Sequence, residues 1–155
     1  MELNLSSSLE DYLEAIYDLS NSEATVRITD ISEKLKVEKP STNMAVKKLK
    51  NLKLVLHEKY RDIILTKKGE EEAIRIKTKH DLISRFLKSI LGVSKKDAEK
   101  DACKIEHAIG NNTFERLAKF IEFLDKSPYF QAEQWLESFE KFIQTGEVNQ
   151  ESRVH

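Results

Sequence analysis

Glycine and proline are scarce in this chain, four and two in 155 residues. Such low usage argues against collagen-like, turn-rich all-β and long disordered architectures. A single cysteine, Cys103, excludes an internal disulfide and suits a reducing cytoplasm. No apolar run approaches the ~18–20 residues of a membrane span, so no membrane partner is expected. The first residues, MELNLSSSLEDYLEAIY, have neither the basic start nor the apolar stretch of a secretory leader. What the chain does have is charge: 34% of residues are charged and 39% hydrophobic, with a formal net charge of −1. Its length suits one sizeable domain or two small ones, burying ~68–70% of the unfolded surface. The expectation is a soluble, helix-rich, cytoplasmic protein.

The small net charge hides an asymmetry. Residues 1–33 hold eight acidic side chains and one basic, Arg27, whereas residues 34–68 hold eleven basic and three acidic, a local balance of +8. Beyond residue 69 the signs are nearly even, with an acidic tail after Pro128. A basic segment in a neutral protein can still carry a phosphate-binding face, because the field is screened within ~8–10 Å. A solvated lysine-rich surface would have the same composition.

Hydrophobic spacing predicts helices over about 7–20, 29–35, 40–52, 69–91, 94–109, 113–126 and 131–144. In the first, Leu9, Tyr12, Leu13, Ile16 and Leu19 form the buried stripe. Ser7 with Glu10, or Ser8 with Asp11, resembles a capping box. Thr29 is the expected cap of the second helix, Pro40 suits the first turn of the third, and Asn112 with Glu115 is the expected cap of the helix over 113–126. That helix sets Met44 or Ala45, Val46, Leu49 and Leu52 inward. Residues 54–60 and 63–66 read as a β-hairpin around the turn Arg61-Asp62, although that pair lacks the usual Gly or Asn. The fold class expected is mainly α, an N-terminal winged helix-turn-helix with a small hairpin followed by an all-α domain.

A recognition helix must bury one side and present small polar and cationic residues to a major groove. Residues 40–52 do both. Ser41, Thr42 and Asn43 stand at the end that reaches base edges, Pro40 joins them as a candidate DNA-binding residue, and Lys39 is better placed for phosphates. Lys47 and Lys48, joined by Lys50, suit phosphates too. Lys59 and Arg61 of the hairpin sit where a wing would touch the neighbouring backbone. An ordinary amphipathic helix beside an incidental hairpin is the plainer alternative.

In the second half, Cys103, Glu106 and His107 are spaced i, i+3, i+4, so three ligand-type side chains share a helix face. His80 lies on the preceding long helix, and Asp11 and Glu14 supply carboxylates from the first. Carboxylate, imidazole and one thiolate suit a first-row divalent ion. Taken singly, each pair reads as well as core or solvated surface.

Joined, these residues resemble the diphtheria toxin repressor and manganese transport regulator family of metal-dependent transcriptional repressors. The landmarks are Glu10-Asp11-Tyr12-Leu13-Glu14-Ala15-Ile16-Tyr17, Lys59-Tyr60-Arg61 with Leu65-Thr66-Lys67-Lys68-Gly69, then His80-Asp81-Leu82-Ile83 with Phe86-Leu87 and Leu91-Gly92-Val93, and Asp101-Ala102-Cys103-Lys104-Ile105-Glu106-His107. The resemblance implies a homodimer with a winged helix over 1–71, a helical metal-binding and dimerisation domain over 72–144 and a tail over 145–155. It implies Asp11, Glu14, His80, Cys103, Glu106 and His107 as metal ligands, and no SH3-like third domain. Two departures stand out. Cys103 matches the iron branch, whereas Asp11 matches the manganese branch. Ser84 and Glu99 replace the glutamate and histidine of the iron branch's ancillary site. The thiolate puts Fe²⁺ ahead of Mn²⁺, while Zn²⁺ or Co²⁺ can bind in vitro.

The function expected is a regulator, a repressor of metal-uptake genes, in which the ion locks the dimer onto double-stranded palindromic operator DNA. No small organic substrate is expected. A metal-independent or thiol-responsive regulator is the alternative. A metalloenzyme is a more distant one, for no separate nucleophile or oxyanion element is present.

Overall fold

The computed structural model describes residues 5–59 and 61–148. Tyr60 and the end of the tail, both part of the sequence reading, lie outside the described residues. The elements are α1 (Ser7–Ser22), α2 (Ile28–Leu35), α3 (Lys39–Asn51), β1 (Val55–Leu56), β2 (Ile64–Leu65), α4 (Lys67–Ser89), α5 (Lys95–Ala108), α6 (Asn111–Lys126) and α7 (Ala132–Thr145). The chain forms two compact units, one reaching to Thr78 and the other beginning at Lys79, so the division falls inside α4.

In the first unit, α1, α2 and α3 pack around one core closed by the strands. Leu13 and Ile16 of α1, Ile31 of α2 and Leu49 of α3 are all fully buried, with Leu54 beneath them. Each such side chain contributes ~1.5–3 kcal/mol through the apolar area it removes from water. The sharp connection between α2 and α3 is made by Lys36 in the left-handed region, φ 55°. Pro40 stands in the first turn of α3, where its missing N–H costs no helical bond.

Local details differ from the expectation at four points. The cap of α1 is Ser6, which accepts from the Leu9 N–H at 3.4 Å, and not Ser7 or Ser8. The start of α2 is fixed by Asp30, whose carboxylate accepts from the Arg27 N–H at 2.8 Å, so Thr29 is already inside the helix. Gly110, not Asn112, caps α6. The strands are two residues each, paired antiparallel as Val55 with Leu65 and Leu56 with Ile64. The described residues between them, 57–59 and 61–63, therefore lie outside the strands, and Arg61-Asp62 lacks the positive-φ residues a two-residue turn demands.

The wing is anchored to α4 at its base. The Thr66 hydroxyl donates to the Lys53 and Leu54 carbonyls at 2.7 and 3.1 Å and accepts from the Gly69 N–H at 3.0 Å.

In the second unit the residues of α4 from Lys79 onward pack with α5, α6 and α7. Ile83, Ile90, Ala98, Ala102 and Ile121 are buried. The Trp135 indole N–H donates to the Ile90 carbonyl at 2.9 Å, and Phe86 meets Phe120 edge to face. Among the described residues no helix is long and apolar enough to cross a membrane.

Candidate metal centre and nucleic-acid interface

Helix α3 turns Ala45, Val46 and Leu49 inward and leaves Lys39, Pro40, Ser41, Asn43, Lys47 and Lys48 exposed. Thr42 is the correction. It is fully buried, and its hydroxyl donates to the Glu38 carbonyl at 3.3 Å within its own helix, so it faces the core and reaches no groove. Met44, an alternative to Ala45 for the inner face, is 63% exposed and joins the outward surface. The Asn43 amide donates to the Lys39 carbonyl at 3.1 Å, which sets its side chain along the first turn. Lys50 is drawn towards the wing, with Nζ donating to the His57 carbonyl at 2.8 Å.

Lys59 and Arg61 are exposed on the wing loop, Arg61 beside Glu58 at 3.4 Å. With Arg27, Thr29, Asn43 and His57 they line a concavity of about 560 Å³. Arg27 and His57 are additions to the basic face that sequence reasoning missed. Arg27 is the lone base of an acidic segment, and only the fold brings it to Asp62, at 3.6 Å, on the wing.

In the second unit, one turn of α5 gathers Cys103, Glu106 and His107, whose ligand atoms lie within 4.8 Å of one another. The Glu106 side chain is 1% exposed. Its Oε2 lies 2.7 Å from Nδ1 of His80, and its Oε1 lies 3.5 Å from Nε2 of His107. Two imidazoles from two helices thus converge on one buried carboxylate, and Cys103 stands exposed at the edge. A buried carboxylate is costly unless paired or metal-bound. Thiolate, carboxylate and imidazole in one turn are a donor set that fits a first-row divalent ion.

The other ring nitrogen of His80, Nε2, lies 2.9 Å from Oε2 of Glu99. Glu99 also accepts from the Ser84 hydroxyl at 2.7 Å and Lys88 Nζ at 3.1 Å. These bonds, His80 first, hold its carboxyl well below the ordinary range, at about 2. Glu99 had figured in the sequence only as a departure; its partners lie on another helix, and no local spacing signals them.

Asp11 and Glu14, the remaining expected ligands, belong to the first unit. Both are half-buried on α1. Glu14 lies 3.9 Å from Lys77, whose ammonium is closer to Asp18, at 3.1 Å.

Residues 4–63 match the family model "Iron dependent repressor, N-terminal DNA binding domain", and residues 66–133 match "Iron dependent repressor, metal binding and dimerisation domain". The chain belongs to the iron dependent repressor family. It is a metal-dependent, DNA-binding transcriptional regulator and not an enzyme. An HTH-type transcriptional regulator of Methanocaldococcus jannaschii is 45% identical over 126 residues, 79% of this chain and 99% of that protein. The HTH-type transcriptional regulator MntR of Bacillus pumilus is 36% identical over 120 residues, 77% of this chain and 83% of that one. Among solved structures, the manganese regulator SloR superposes with a TM-score of 0.66 at 35% identity, covering 78% of this chain. The chain spans about half the length of that structure, 55%. The DNA-binding match takes in α3 and the wing loop of this repressor, and the second match takes in His80, Cys103, Glu106 and His107. A metal-independent regulator is not favoured by these comparisons.

Proposed function

We propose that this repressor senses cytoplasmic Fe²⁺ or Mn²⁺ through Asp11, Glu14, His80, Cys103, Glu106 and His107, and that its ion-bound homodimer holds a palindromic operator and silences metal-uptake genes. The observation that carries the reading is the convergence of Cys103, His107 and His80 on Glu106, a carboxylate with 1% of its side chain exposed. When bound, the ion supplies the positive charge that lets close carboxylates coexist. Asp11 and Glu14 would be the ligands supplied by the DNA-binding unit, so the ion would shift the population towards operator-competent repressor.

At the DNA, Ser41 and Asn43 occupy the reading end of α3 beside Pro40; Lys39, Lys47 and Lys48 neutralise phosphates; and Lys59 and Arg61 carry the wing. In a dimer, two such helices must stand ~34–36 Å apart to enter successive major grooves of a palindrome. Fe²⁺ is placed ahead of Mn²⁺ because the Cys103 thiolate adds a soft donor. The relatives named manganese regulators support the opposite order. Zn²⁺ and Co²⁺ are expected to bind in vitro, since affinity follows the Irving–Williams order.

Anaerobic fluorescence anisotropy on a duplex from the gene's own upstream region tests the proposal, in chelator, Fe²⁺ and Mn²⁺ at fixed salt. Binding only with metal is the expected result, and the midpoints rank the two ions. Equal, tight binding in chelator would leave the DNA-binding unit standing and overturn the sensing role.

A further inference from the structure

Beside the Cys103, Glu106 and His107 group stands a second set of ligand-type residues, His80 and Glu99, adjoining it through the bond from His80 to Glu106. The donor types alone would allow two ions per subunit. The hydrogen bonds around Glu99 argue otherwise. His80, Ser84 and Lys88 recur every four residues and form one stripe of α4. All three meet the same carboxylate on α5: His80 Nε2 at Oε2, with Ser84 Oγ and Lys88 Nζ at Oε1. Oε1, which would serve a second ion, is thus engaged by a hydroxyl and an ammonium, and Oε2 by the His80 imidazole. A divalent cation placed against Glu99 would also stand next to the charge of Lys88, and like charges at such range repel.

We infer that Lys88 is a built-in cation occupying the place beside Glu99 where a second ion would otherwise bind, so that each subunit takes a single ion at the Cys103, Glu106 and His107 group. Glu99, neutralised in this way, is left as a positioning residue. It holds His80 Nε2 and directs Nδ1 towards Glu106, the outer-shell arrangement that orients metal-ligating imidazoles. The inference rests on the metal-sensing reading above.

The test counts ions on the full-length repressor, using Co²⁺ under anaerobic conditions. Equilibrium dialysis gives Co²⁺ per subunit, and the thiolate-to-cobalt charge-transfer band reports Cys103 independently. Wild type is expected to saturate at one Co²⁺ with the band fully developed, and Lys88→Arg, which keeps the charge, is expected to do the same. Lys88→Met, which keeps the stem and removes the charge, is expected to take a second equivalent without further gain in the band. Two equivalents of similar affinity in wild type would overturn the inference, as would a count still at one in Lys88→Met. A different result, Co²⁺ uptake with no band or with one unchanged in Cys103→Ser, would overturn the ligand assignment beneath it.

Discussion

Glu106 of α5 meets His80 of α4 through a 2.7 Å contact between Oε2 and Nδ1, made by a carboxylate almost wholly removed from solvent. Twenty-six residues separate the two in sequence. The pair joins two helices of the second unit through a charge-assisted bond, and such bonds are roughly twice as strong as neutral ones. It also fixes which ring nitrogen of His80 faces Glu106, leaving Nε2 to Glu99.

Replacing Glu106 by Gln keeps the volume and removes the charge. Losing an outer-shell partner typically lowers metal affinity 10–100-fold, so losing this carboxylate should cost at least ~100-fold. Mn²⁺ titration should show that loss while far-UV circular dichroism stays as in wild type. The double variant Glu14→Gln with Glu106→Gln should lose metal-dependent DNA binding altogether. A retained response would remove these residues from the ligand set.

Glu99 gives a pH dependence with a definite sign. Its carboxyl sits at about 2 in the folded protein against an ordinary 4.5, through bonds from His80, Ser84 and Lys88. Folding therefore favours the ionised form. That contribution is complete above about pH 4.5 and is lost as pH falls towards 2. With 44% of the side chain exposed, solvent screening keeps it modest. The difference in Tm between wild type and Glu99→Gln in chelator should be constant above pH 4.5 and shrink below it. A difference that grows on acidification would mean these bonds do not favour the carboxylate.

Gly69 lies in the first turn of α4 against the backbone of Leu54, where an added Cβ would collide with the Leu54 carbonyl. Alanine gains ~1 kcal/mol of helix propensity over glycine. Overpacking against well-packed surroundings costs ~1–3 kcal/mol, and here the obstacle is backbone that also accepts from Thr66. The clash should win. Gly69→Ala is expected to lower the urea midpoint by an amount equivalent to up to ~2 kcal/mol, the net of these two effects, and an unchanged midpoint would show that the wing base can shift.

What could be read in the sequence were features whose signal is local. The stripe of Leu13 and Ile16 and the i, i+3, i+4 spacing of Cys103, Glu106 and His107 both follow from helical periodicity alone. Glu99 could not be read this way, because Ser84, Lys88 and His80 reach it from another helix. Thr42 misled for a different reason. A hydroxyl can bond back to its own helix, so a polar residue satisfied by the Glu38 carbonyl can sit in a core at little cost. The wing was recognisable from its β-rich runs, but its loop length was not, since Arg61 and Asp62 specify no turn type.

The buried Thr42 separates two kinds of substitution on α3. Thr42→Val keeps the shape and removes a hydroxyl whose partner lies in the same helix, so DNA affinity and sequence preference should both be unchanged. Lys47→Ala and Lys48→Ala each remove an exposed cation from the proposed phosphate face. Neutralising a phosphate contributes about −0.9 to the slope of log K against log salt, because a condensed counterion is released. Each lysine variant should therefore weaken binding to all sequences alike and reduce the slope by about 1, whereas Ser41→Ala or Asn43→Ala should change the preference among operators and leave the slope intact. Anisotropy titrations at several salt concentrations on matched and mutated duplexes read both quantities at once. A slope unaffected by either lysine would move the phosphate contacts elsewhere on the basic face, to Arg27 and the wing.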